Sequence, residues 1–290
     1  MLRHRIYLTC FLIAVLLVSG TVFSQRKGGE VTVTRCWQFP AENVVGLATN
    51  GKDIFAAADG ARVFALSAKG EKLWQTELGG EITSDVVIEN GLVVVTTRSA
   101  ANVLTINHLS EATGLPVAAS TDPDPPAIKQ GLSDKPSATA SVGDVIILGD
   151  DAGLVTSLSG SGPVWKFKTG GGISAVIPVG DKFVVISRDD FVYSLYASNG
   201  GLQWKRRLQG RVGHYSLGKG FLFVSSLDQH GASFIDLSTG RVAGQIVLTA
   251  DEQVVSDPVV IGENFIVATG TGISGYSLSG CGQKETAPKP

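Results

Sequence analysis

The sequence predicts an all-β chain folded as a six-bladed β-propeller of four-stranded antiparallel blades, its ring closed by an N-terminal strand that pairs with the last blade. Three observations carry this. A glycine-centred turn at Gly51, Gly91, Gly143, Gly180, Gly218 and Gly262 is followed each time by an apolar strand, a short polar turn and a second strand. The repeat is about forty residues, the length of a blade of four strands. Tryptophans also recur on or near the strand that comes next, at Trp37, Trp74, Trp165 and Trp204.

Composition agrees with one closed ring of small sheets: 290 residues, 43% hydrophobic, 36 glycines and one methionine. Such a chain buries a substantial core and is not disordered.

The first element is a signal peptide, residues 1–24. Arg3 and Arg5 give a basic start, Ile6 to Val18 is apolar apart from Thr9 and Cys10, and a cut falls before Gln25. An uncleaved membrane anchor is the alternative, since Ile6 to Phe23 is long enough to span a bilayer. Either way the body is exported, to the periplasm or the extracellular space. Residues 25–281 then form a single propeller domain and 282–290 a flexible tail.

The segment Val31 to Trp37 precedes the first repeat and supplies a strand that the last repeat lacks. Blade 1 follows with strands at Val44 to Ala48, Ile54 to Ala57, Val63 to Leu66 and Lys72 to Thr76. In blade 2 the run Leu92 to Val95, and in blade 3 the run Val145 to Leu148, are continuous apolar strands that fit sheets buried on both faces. Blade 4 is the cleanest copy, with Gly180-Asp181, Asp189-Asp190 and Asn199-Gly200 as its turns. Blades 2 and 5 keep the Thr-Gly turn (Thr113-Gly114, Thr239-Gly240) but carry Pro116-Val117 and Val242-Ala243 where others carry tryptophan. An outer-strand tryptophan covers the facing sheet of the next blade, burying about 150–250 Å².

With the leader removed, Cys36 and Cys281 remain, and an even pair in an oxidising compartment reads as a disulfide. Aligning Gly275 to Cys281 on Val63 to Lys69 matches Cys281 to Lys69 and Cys36 to Leu73, positions facing each other across a hairpin. The other reading is two unpaired thiols.

The run Val63-Phe64-Ala65-Leu66-Ser67-Ala68-Lys69-Gly70-Glu71-Lys72-Leu73-Trp74 resembles the repeat of the quinoprotein-type propellers, whose units are called pyrroloquinoline-quinone-like (PQQ-like) repeats, as does Val192 to Trp204. Ser84-Asp85-Val86-Val87 and Ser256-Asp257-Pro258-Val259-Val260 resemble its inner strand. The likeness spans nearly all of residues 31 to 280. It implies the fold, while the same repeat serves dehydrogenases and non-catalytic scaffolds, among them the outer-membrane assembly (BamB-like) propellers. The dehydrogenases are usually eight-bladed and longer, and the methanol-oxidising type sets adjacent cysteines against its quinone. This chain has no adjacent cysteines. No enzyme activity and no cofactor are expected.

Other chemistry is sparse. His108, His214 and His230 fall in different repeats without metal-ligand spacing, no nucleophile elbow is present, and no helix follows Gly170-Gly171-Gly172. Three features remain as binding candidates. An acidic rim collects Asp59, Asp150, Asp151, Asp189, Asp190 and Asp228 from turns between second and third strands, where short acidic side chains also serve as turn formers, with Arg98 and Arg188 beside them. The long link from Ala119 to Pro136 offers a docking loop at Thr121, Asp122, Asp124 and Lys129. Asp85 and Asp257 on inner strands point to the central channel.

Removing Arg3 and Arg5 takes the formal charge from −2 to about −4, with no basic cluster interleaved with aromatics, so nucleic acid is not a partner class. The expected function is a monomeric, non-catalytic scaffold for a protein partner in the cell envelope, touching membrane only through that partner or an uncleaved leader. The alternative is a quinone-dependent dehydrogenase or a small-ligand binder using the channel.

Overall fold

The computed structural model describes residues 32–117, 138–160, 162–250 and 252–281. The leader, the tail and the candidate docking loop (Thr121, Asp122, Asp124, Lys129) lie outside them. Every regular element described is a strand, and the strands form six antiparallel sheets. The chain opens with β1 (Thr34–Pro40). Blade 1 holds β2 (Gly46–Thr49), β3 (Asp53–Ala58), β4 (Arg62–Ser67) and β5 (Lys72–Glu77). Blade 2 holds β6 (Glu81–Ile82), β7 (Val87–Glu89), β8 (Leu92–Arg98) and β9 (Leu104–Ser110), and blade 3 β10 (Thr139–Val142), β11 (Val145–Gly149), β12 (Leu154–Ser159) and β13 (Gly162–Lys168). Blade 4 runs β14 (Ile173–Val179), β15 (Lys182–Ser187), β16 (Phe191–Tyr196), β17 (Leu202–Arg207), and blade 5 β18 (Val212–Gly218), β19 (Phe221–Ser226), β20 (Gly231–Asp236), β21 (Val242–Val247). Blade 6 contributes β22 (Val259–Ile261), β23 (Asn264–Thr269) and β24 (Gly272–Ser277).

Blade 6 takes its fourth strand from the front of the chain. β1 pairs antiparallel with β24, from Thr34 opposite Ser277 to Pro40 opposite Gly272. Cys36 is the bulged residue of that pairing, as Leu73 is between β4 and β5. It is bonded to Cys281, with the two α-carbons 5.2 Å apart.

The tryptophans lock four of the blades to the next one. The indole N–H of Trp37 donates to the Ala68 carbonyl (3.1 Å), Trp74 to Glu111 (2.8 Å), Trp165 to Ala197 (2.8 Å) and Trp204 to Leu237 (2.9 Å). Each acceptor lies in the turn before the outer strand of the following blade. The glycine of that turn (Gly70, Gly114, Gly200, Gly240) lies against the ring, and a β-carbon there would come within about 2.5 Å of indole carbons. The same glycines have φ between +67° and +79°, so both space and backbone demand glycine.

Sequence and structure differ at four places. The blade 5 turn is Lys219-Gly220, with φ of 52° and 78°. Gly218 instead ends β18, where a side chain would strike Val260. The inner strands of blades 2 and 6 are interrupted at Ser84-Asp85 and Ser256-Asp257, leaving β6 and β7 in one and a lone Val254–Thr269 bridge before β22 in the other. In blade 2 the outer position shows only a bridge from Leu109 to Pro116 among the described residues. Finally, β8 and β11 are buried on one face only, with Val93 and Val95 fully packed and Ile146 43% exposed.

That last difference follows from the core. Apolar clusters join blades 6 and 1, 1 and 2, 3 and 4, 4 and 5, and 5 and 6. Between blades 2 and 3 the described residues form no such cluster. Strand alternation explains which side suffers: in β8, Val93 and Val95 face blade 1, while Val94 and Thr96 face blade 3.

Candidate functional site

The expected rim residues gather around blades 3 to 5, and local partners hold most of them. Asp151 pairs with Arg188 across the blade boundary at 2.8 Å, and Asp228 with Arg211 at 2.8 Å. Arg98 makes no ion pair among the described residues. Asp150 accepts the amide of Leu154 at 2.7 Å, the turn-forming role. Asp59, on blade 1, accepts the Gly60 amide and the Asn43 side chain, and those bonds hold its carboxyl below the usual range. Asp190 lines a cavity of about 220 Å³ with Arg188 and Arg211. The rim is therefore a mixed, ion-paired surface.

Asp189 is the most strongly held. Burial opposes its ionisation, but hydrogen bonds from Tyr193 and the Gly170 and Phe191 amides outweigh it and keep the carboxyl below its ordinary range. Burial and the adjacent carboxylate push the Tyr193 phenol up to about 12. A depressed folded value stabilises the fold above the unfolded carboxylate pKa of about 3.9, and that stabilisation is lost as pH falls through the folded value. Thermal midpoints of Asp189→Asn should lie below wild type at pH 7, with the gap closing toward pH 3; a constant gap would remove the titration from the account.

The two channel candidates occupy one repeat position. Counting back from each inner turn, Gly46, Asp85, Ala138, Ala175, His214 and Asp257 are equivalent. Asp257 accepts the Tyr215 amide and lies 3.2 Å from His214 Nδ1. Asp85 sits against Gly46, where a β-carbon would be 3.3 Å from its carboxylate. The structure thus ties each aspartate to the blade before it. Among the described residues no group of three or more His, Cys, Asp or Glu is placed to hold a metal ion, and no helix is long and apolar enough to cross a membrane.

The seam between blades 2 and 3 was not legible in the sequence. On the blade 2 side Val87, Leu104 and Ile106 are exposed, and on the blade 3 side Ile146. The positions equivalent to Ile146 are Ile54, Val93, Phe183, Leu222 and Phe265, all 0% exposed. Apolar residues clustered on both sides of one gap mark an interaction surface more than isolated exposed side chains do.

Six sheets, four of them with a tryptophan docked in the glycine turn of the next blade, define a propeller of PQQ-like repeats. Residues 19–163 and 153–283 match the family described as outer membrane protein assembly factor BamB, and the chain belongs to that family. No curated protein matches it. Among solved structures, Raptor of Chaetomium thermophilum is similar at 11% identity and a TM-score of 0.54, over 86% of this chain and 29% of Raptor, which shows the fold alone. The computationally designed Ika8 protein aligns at 11% identity and a TM-score of 0.46, over 86% of this chain and 100% of that one.

Proposed function

We propose that the protein is an exported, non-catalytic scaffold that holds a partner protein in the cell envelope. Membership of the BamB family supports a propeller scaffold or binder, and the Cys36–Cys281 bond is compatible with an oxidising compartment. The observation that carries the reading is the apolar seam. Five blade junctions are sealed by packed clusters, whereas Leu104, Ile106 and Ile146 stay exposed at the sixth. A rigid set of sheets with one such patch offers a partner a preformed apolar site flanked by polar turns. The expected docking loop, Thr121 to Lys129, lies in the stretch of sequence that connects these two blades.

The test is capture of a partner from an envelope extract by wild type and by Ile106→Glu and Ile146→Glu. Both positions are exposed, so stability should change by no more than about 0.5 kcal/mol. Capture should fall about thirty-fold, the loss of one buried anchor of about 2 kcal/mol. Undiminished capture by both variants, at an unchanged melting temperature, would move the binding surface elsewhere.

A further inference from the structure

At two of the blade junctions the corner is filled by two aromatic rings. Phe39 of β1 meets Phe64 of blade 1 with centroids 5.4 Å apart, and Phe167 of blade 3 meets Tyr193 of blade 4 at 5.7 Å. The strand registers place Arg206 and Ser233 at the matching positions where blade 4 meets blade 5. Arg206 is turned away, its Nε donating to the Gly240 carbonyl. Ser233 is too small to replace a phenol ring. What remains is a cavity of about 250 Å³ against Val224, with Gln209, Gln229, Gln245 and Ser233 around it.

No Asp, Glu, Lys or Arg lines this cavity, and its one histidine, His230, turns Nδ1 to the Glu252 carbonyl. A charged ligand would give up hydration there without a counter-charge. Each glutamine amide both donates and accepts, and the side chains of Gln209 and Gln229 have no hydrogen-bond partner among the described residues, while Gln245 donates only to Ser233 at 3.3 Å. Three amides around so small a volume exceed what one inserted peptide side chain can use. A ring bearing hydroxyls on most of its carbons can use them, with its C–H face on Val224. We infer that the blade 4–blade 5 junction is a binding site for a single uncharged sugar ring.

The site is independent of the seam, and its test does not depend on any protein partner. Saturation-transfer NMR and titration with glucose and N-acetylglucosamine are expected to show saturable binding of about 1 mM, reasonable for a ligand of this size. Ser233→Tyr, which installs the ring that blade 4 carries, should abolish it. Gln245→Leu should weaken it at least about fivefold, one net hydrogen bond, and provides a second readout if the tyrosine variant does not fold. Ile106→Glu should leave sugar binding unchanged. Absence of saturable binding, equal binding by a folded Ser233→Tyr, or equal affinity for glucuronate would each overturn the assignment. So would binding of a blocked Ala-Gln-Ala tripeptide in place of the sugars.

Discussion

Trp204→Ala should cost about 3–5 kcal/mol, the range for deleting a buried tryptophan side chain. At about 2–4 °C per kcal/mol for a chain of this size, the melting temperature should drop by 10 °C or so. Trp204 is the most deeply buried of the four tryptophans, 8% exposed, and packs in the cluster joining blades 4 and 5. Its loss opens a void beside Ile235 and Val192 and leaves the Leu237 carbonyl without its indole donor. The alternative to this lock-and-turn account is that the tryptophan merely adds apolar area.

A double-mutant cycle with Gly240 separates the two. Gly240→Ala in the wild-type background forces a β-carbon to within 2.5 Å of the indole and strains a backbone at φ +67°. In the Trp204→Ala background the ring is gone, and only the backbone penalty of about 1 kcal/mol remains. The two costs should therefore be strongly non-additive in urea unfolding. Additive costs would mean that ring and turn act separately.

How much of this could be read from the chain depends on what each residue must touch. Turn glycines and tryptophans announce themselves because their demands are local: a positive φ, or an indole meeting the turn one repeat later. The pairing of β1 with β24 was legible for the same reason, since the last repeat visibly lacks a strand and the first has one to spare. Exposure of Ile146 was not, because Ile146 and Ile54 are the same residue type in the same place, and only the neighbouring blade decides which is covered. The rim was half legible. Its aspartates stand in the expected turns, but Arg211, which neutralises Asp228, sits in the linker before β18, where no repeat position signals it. The breaks at Ser84-Asp85 and Ser256-Asp257 also escaped the repeat, because an inner strand that bulges keeps its apolar spacing on either side. The empty corner at Ser233 became visible only once strand registers aligned it with Phe64 and Tyr193.

Reduction of Cys36–Cys281, or Cys281→Ser, should lower stability by about 2–4 kcal/mol, with about 5 kcal/mol as the chain-entropy ceiling for so long a loop. The bond spans 245 residues and ties the start of the described chain to its end. Two mechanisms predict the same total and different local behaviour. If the bond acts only by restricting the unfolded chain, the reduced protein keeps native protection throughout and simply unfolds at lower denaturant. If it also clamps β1, amide exchange should quicken first in Thr34 to Pro40 and in its partner β24, and Trp37 should leave the turn at Ala68 before the other tryptophans move. The second outcome is favoured by position. β1 reaches the sheet through β24 alone, its burial pattern is at best intermediate from Thr34 to Phe39, and its other anchors are two rings, Trp37 against Gly70 and Gly275 and Phe39 against Phe64. A strand held along one edge with few buried side chains frays easily unless its ends are fixed, so hydrogen exchange on the reduced protein, compared with Trp37→Ala in the oxidised one, distinguishes the clamp from the entropy effect. Uniform protection of β1 after reduction would leave only the entropic role.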